Sequence, residues 1–221
     1  MVLRTGIVAV VVLLCAGVAS AQNDDGHFDA SVNIGEVFTR QSTGNLITQS
    51  ATEGSFGVAT FRWKLAPKHS LLVNYGRDKN SQIFQSAFDF HVVTHISEFS
   101  AAYMFSPFQK GRFEPFLLAG GGILRFSPQS TWAVLPPIMN VPDNIQVNLG
   151  AANQTMPAFL YGGGVDYTLP RFSRFALRLQ YRGLFYSNPD FKVTTATSTV
   201  TFFTGTKGHM AEPSLGLAFR F

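Results

Sequence analysis

His95 and Ser97 stand two residues apart, an imidazole beside a hydroxyl. On a strand that spacing puts both on one face, and a hydroxyl served by a base that an acid orients is what acyl transfer requires. The orienting acid is missing from the pattern. Glu98 has the wrong parity for a strand neighbour, and Glu114 falls at the far end of its segment. His91 and His95 are four apart, which gathers metal ligands on a helix but separates them by about 13 Å on a strand. No metal or cofactor site is therefore expected. A second set is ionic: Asp29, Asp166, Arg178, Arg182, Glu212 and Arg220, with Glu98 as a further candidate. Carboxylates and guanidiniums enclosed together should pair, because an isolated charge away from water is costly. Arginine suits this, since its planar fork can bridge two carboxylates. The glycines at 120, 122, 162 and 164 lie mid-segment with no helix after them. They are read as room for the long arginines rather than as a phosphate cradle.

These residues sit on segments that alternate with a period of two, the mark of strands. The clearest is 175–185. Phe175, Leu177, Leu179, Tyr181 and Phe185 share one parity, while Ala176, Arg178, Gln180 and Arg182 share the other. The others are expected at 28–38, 55–64, 70–76, 86–105, 113–126, 157–169 and 209–221. The parity of 55–64 is unclear, since both faces carry apolar groups. Within 86–105, Phe88, Phe90 and Val92 are out of phase with Phe99, Ala101, Tyr103 and Phe105, which predicts a bulge or break near 93–98. Short turns are expected at 65–69, 106–112 and 170–174, and long connections at 39–54, 77–85, 127–156 and 187–208. Eight strands with alternating connections predict an all-β fold, a transmembrane antiparallel up-and-down barrel with its sheet edges closed.

Alternation alone also fits a soluble calyx. There, some twenty large apolar groups would have to fill the inside of eight strands, which have room only for side chains or one small ligand. Aromatic residues also recur at strand ends, as an interfacial girdle requires. The reading is therefore apolar outside and ionic inside, with a plugged lumen.

Composition agrees. Charged residues make up 14% of the chain, against a typical ~25%, and mean hydropathy is only slightly positive. The one long apolar run is Ile7 to Val18, preceded by Arg4 and followed by Ala19-Ser20-Ala21. That is the layout of a secretory signal peptide over 1–21, leaving 22–221 as one barrel domain. Cleavage there removes Cys15, the only cysteine, and lowers the net charge from +4 to +3. No disulfide framework or thiol nucleophile is expected. The basic residues are scattered, so no nucleic-acid partner is implied.

The closing residues Ser214, Gly216, Phe219 and Phe221 resemble the C-terminal assembly signal of outer-membrane barrels: a polar residue, a glycine two later, and aromatics three and five beyond it. With the short turns at 65–69 and 170–174 and the run Glu114-Pro-Phe-Leu-Leu-Ala-Gly-Gly-Gly122, nearly the whole mature chain resembles the small eight-stranded outer-membrane β-barrel family of OmpA and OmpX. The resemblance implies an outer-membrane location in a Gram-negative bacterium, reached through the periplasm. It implies short periplasmic turns and long extracellular loops. The partners it implies are the barrel assembly machinery, outer-membrane lipid and lipopolysaccharide. The chain lacks the peptidoglycan-binding domain of full-length OmpA proteins, so tethering to the cell wall is not implied. Lipid A deacylases of the family carry His and Ser two apart on a lipid-facing strand, which keeps a hydrolase using His95 and Ser97 as an alternative. A narrow passive pore is a second. The primary expectation is a structural or surface-interaction role through loops 127–156 and 187–208, where apolar groups such as Trp132 and Ile138 stand among polar ones.

Overall fold

The computed structural model describes residues 27–85, 89–129, 131–134, 146–149, 153–194, 199–202 and 204–221. The expected signal peptide with Cys15, residue Phe88 and the middle parts of loops 127–156 and 187–208 lie outside them.

Among the described residues fourteen strands follow in order: β1 (Phe28–Thr39), β2 (Ser42–Gly44), β3 (Ile47–Ala51), β4 (Gly54–Ala66), β5 (His69–Gln85), β6 (Asp89–Phe105) and β7 (Phe113–Pro128); then β8 (Thr131–Val134), β9 (Gln146–Leu149), β10 (Gln154–Thr168), β11 (Phe175–Ser187), β12 (Phe191–Thr194), β13 (Thr199–Phe202) and β14 (Lys207–Arg220). Eight of them, β1, β4, β5, β6, β7, β10, β11 and β14, pair antiparallel in chain order, and β14 returns to β1. Following register partners from Phe28 through Trp63, Leu71, Tyr103, Ala119, Tyr161, Gly183 and Ala211 leads back to β1 at Phe38. The ladder thus climbs ten residues per circuit, and this stagger tilts the strands and fixes the width of the closed cylinder.

Exposure settles which face is outside. Ile34, Val73, Leu117, Leu179 and Leu215 are among the most exposed residues, while their polar strand neighbours Asn33, Asn74, Arg178 and Ser214 are buried. The apolar rows therefore wrap the cylinder. The three short connections lie at one end, where Phe28 and Phe221 also exchange backbone hydrogen bonds. There Phe28 stacks on Phe61, Trp63 and Phe221, and Phe175 packs on Phe219, forming an aromatic girdle. At the other end the long connections fold into hairpins β2–β3, β8–β9 and β12–β13. Asn45 and Leu46 turn the first hairpin with φ of 48° and 61°, the left-handed pair that a tight hairpin demands. Asn188 Nδ2 bonds Ser42, Thr204 and Thr206, tying the first long connection to the last.

Three expectations need correction. β5 runs on to Gln85, so 77–85 is strand and not loop. Its inward residues there, Asp78, Asn80 and Gln82, are as polar as its outward ones, which hides the alternation. β6 has no bulge near 93–98, because its pairing with β5 and β7 is unbroken; the irregular step is between Lys64 and Ala66. Nor is the interior only ionic. Val37, Phe56, Ile96, Leu124, Phe126 and Leu184 point inward within one buried apolar cluster. The apparent phase slip in β6 is this change of lumen chemistry, with Val92 and Ile96 inward above Glu98 and Ser100.

Candidate functional site

The chemistry that the described residues bring together lies inside the cylinder, in two ionic clusters. The lower one fills the end with the short turns. β11 places Arg178 inward beside Asp166 of β10, its register partner. Arg178 Nε donates to Asp166 Oδ1 at 2.7 Å and Nη2 to Oδ2 at 2.8 Å, while Nη1 donates to Ser31 Oγ at 2.9 Å. Arg62 of β4 bonds Asp29 and lies 3.4 Å from both Glu114 and Asp166. Arg220 donates to Glu114 at 2.9 Å and to Thr168 at 3.1 Å. Three guanidiniums thus face three carboxylates. Parallel double bonds such as those from Arg178 to Asp166 are the strongest form of this pairing. The ring of Phe116 lies 5.4 Å from the Arg178 guanidinium, a cation–π contact.

Four residues further along β11, Arg182 begins the second cluster. It bonds Glu98 of β6 and sits 3.1 Å from Glu212 of β14. Asp78 lines a cavity of ≈ 10 Å³ with Glu98, Glu212 and Met210, room for about one water. Arg182 Nε and Nη1 have no hydrogen-bond partner among the described residues. Apolar residues at and beyond this level, Ile96, Leu124, Phe126, Leu184 and Met210, are buried inside the barrel.

The expected luminal charges are therefore split rather than gathered. Asp29, Asp166, Arg178 and Arg220 belong to the lower cluster, and Arg182, Glu98 and Glu212 to the upper one. Sequence reasoning missed Arg62 and Glu114. The signal for Arg62 was present: Thr60 and Arg62 share a parity opposite to Phe61 and Trp63. The glycine reading also changes. A Cβ at 120 or 122 would strike the carbonyl oxygens of Ala101 and Phe99, and at 162 or 164 those of Tyr181 and Leu179. Close approach of the neighbouring strand explains these glycines, not the space that arginines need.

His95 and Ser97 both face outward on β6, half-buried. His95 Nε2 lies 3.0 Å from Gln129 Nε2, and no carboxylate is bonded to it among the described residues. The strand neighbours of Ser97 are Arg77 and Arg125 and those of His95 are Lys79 and Ser127, so no acid stands beside either residue on the adjoining strands. No group of three or more metal-ligating side chains occurs among the described residues. Of the expected assembly signal, Ser214 and Gly216 sit on the inward row of β14, and Phe219 and Phe221 on the outward one, stacked 6.0 Å apart.

No known family profile and no curated protein matches the chain. Solved structures do. Neisserial surface protein A aligns with 88% of this chain and 97% of its own at 14% identity and a TM-score of 0.55. Outer membrane protein AlkL, determined in lipid bilayers, aligns with 91% and 93% at 16% identity and 0.52. Outer membrane protein OprG from Pseudomonas aeruginosa aligns with 89% and 97% at 10% identity and 0.51. At these identities the likeness concerns architecture, and on that ground the chain has the fold of the small eight-stranded outer-membrane β-barrels.

Proposed function

We propose that this protein is an integral outer-membrane protein of a Gram-negative bacterium, exported through the periplasm and inserted by the barrel assembly machinery. Its barrel is a sealed scaffold, and its work is structural or surface-interactive, done by the hairpins above the membrane. The observation that carries this reading is the filled lumen. Two ionic clusters and an apolar layer occupy the bore, so passage through it is not its task. The passive-pore alternative loses support for the same reason. The hydrolase alternative loses it because His95 is held by an amide and Ser97 is flanked by arginines. The extracellular side is assigned to the hairpin end, since short turns face the periplasm in this architecture.

Labelling tests the sidedness. A cysteine at Leu46, 96% exposed at the tip of the first hairpin, should react with a membrane-impermeant maleimide on intact cells, whereas one at Lys68 in a short turn should not. The reverse pattern sinks the orientation. Planar-bilayer recordings should stay at baseline, and steady open-channel current would contradict a sealed bore. The surface role is tested by replacing 131–149 with a short turn. Cells carrying the folded variant should adhere less to host cells or matrix, and undiminished adherence overturns the role assigned to that loop.

A further inference from the structure

The outer wall of β5, β6 and β7 carries a cationic patch that neither the lumen nor the hairpins explain. Register places Arg77 beside Ser97 and Ser97 beside Arg125, and one step higher Lys79 beside His95 and His95 beside Ser127. All lie on the outward parity, since Asp78, Ile96, Glu98, Leu124 and Phe126 between them are buried inside. Immediately below, Tyr75, Phe99 and Ile123 are register partners on the same strands and face out, with the Tyr75 and Phe99 rings 4.8 Å apart. The wall thus passes from aromatic and aliphatic to basic within one residue pair on each strand.

Arg77 and Arg125 are two strands apart, so their backbones lie roughly 10 Å from each other, and Lys79 is about 7 Å along the strand from Arg77. None of the three has an ion-pair partner among the described residues; every salt bridge found there is luminal. Among the residues whose exposure is described, the outward carboxylates on the β4 side are Glu36 of β1 and Glu53 in the connection before β4, and the row from Glu36 reaches Lys79 only across Ser55. Unpaired cations directly above a band of lipid-facing aromatics occupy the headgroup level, where the available anions are lipid phosphates. Arginine forks match phosphate oxygens. Three cations spread over about 10 Å fit a headgroup bearing more than one phosphate better than a single phosphodiester.

We propose that Arg77, Lys79 and Arg125, with His95 and Ser97 between them, form a binding site for the phosphates of lipopolysaccharide in the outer leaflet. This rests on the orientation given above.

The test uses the mature protein in phosphatidylcholine nanodiscs doped with diphosphoryl lipid A, with retained lipid A counted by native mass spectrometry. The parent should retain it, and the Arg77→Gln/Lys79→Gln/Arg125→Gln variant should retain at least about tenfold less. Lys68→Gln/Lys110→Gln/Arg171→Gln, which removes the same charge from the turns at the opposite end, should behave as the parent. Dephosphorylated lipid A should not be retained by the parent, a result that needs no variant to fold. Folding of each variant is followed by heat-modifiable mobility. Equal retention by the parent and the folded outer-wall variant overturns the site, as does equal loss in the two triple variants. A protein that does not enter the nanodisc refutes the membrane reading instead, and a Leu46→Cys protein that stays unlabelled on cells refutes the orientation, whatever the lipid count.

Discussion

The two ionic clusters inside the barrel use the same residue types and are built differently. In the lower one, three arginines meet three carboxylates, and Arg178 spends all three of its donor nitrogens on Asp166 and Ser31. In the upper one a single arginine serves Glu98 and Glu212 with Asp78 close by. Both clusters leave guanidinium nitrogens without a hydrogen-bond partner among the described residues, Arg62 Nη2 and Arg220 Nε in the lower and Arg182 Nε and Nη1 in the upper. Burial is nearly complete in both. The difference teaches that enclosure alone does not make an ion cluster stabilising. What separates the two is charge balance, since a buried charge without a counter-charge keeps its desolvation penalty.

Substitutions can break that contrast. The largest effect is expected for Arg182→Met, which strands Glu98 and Glu212 together and should cost about 3–5 kcal/mol. Urea unfolding of the refolded barrel in detergent measures it, and Arg178→Met should cost clearly less, because Arg62 still faces Asp166 at 3.4 Å. Equal losses would mean that the two clusters are energetically alike. The carboxylates sharpen the point. Asp166→Asn should cost about 3 kcal/mol, because it unbalances a matched set. Glu212→Gln should cost under about 1 kcal/mol, because it relieves an excess of acid around one arginine. A Glu212→Gln loss as large as that of Asp166→Asn would show that the upper cluster needs both acids. A comparably small effect belongs to Gly76→Ala. Its new Cβ would lie 3.0 Å from Glu98 Oε2, and displacing that flexible tip should cost about 1 kcal/mol. A loss several times larger would place Glu98, rather than Arg182, at the centre of the cluster.

Much of the barrel is legible in the chain wherever the two faces of a strand differ in polarity. Residues 175–185 announce their strand because leucine and phenylalanine alternate with arginine and glutamine. Residues 77–85 do not, because Asp78, Asn80 and Gln82 inside are matched by Arg77, Lys79 and Ser81 outside and the contrast vanishes. Around residue 96 the contrast reverses, since the lumen turns from polar to greasy while the register runs on, and that reversal imitates a slip. Arg62 is obscured in the same way by Phe56 and Val58, which point inward on its own strand. The outward direction of His95 and Ser97 can be read from parity, but the arginines beside them come from neighbouring strands, which only the register reveals.

The seam between β1 and β14 has a consequence for how the molecule is made. Asp29 pairs with Arg220, so the joint that completes the cylinder unites positions about 190 residues distant, the slowest kind of contact to establish. Until the final strand arrives, both β1 and its neighbour-to-be present unsatisfied peptide groups that could template aggregation. The last strand is thus the latch whose engagement converts a vulnerable ribbon into a finished tube.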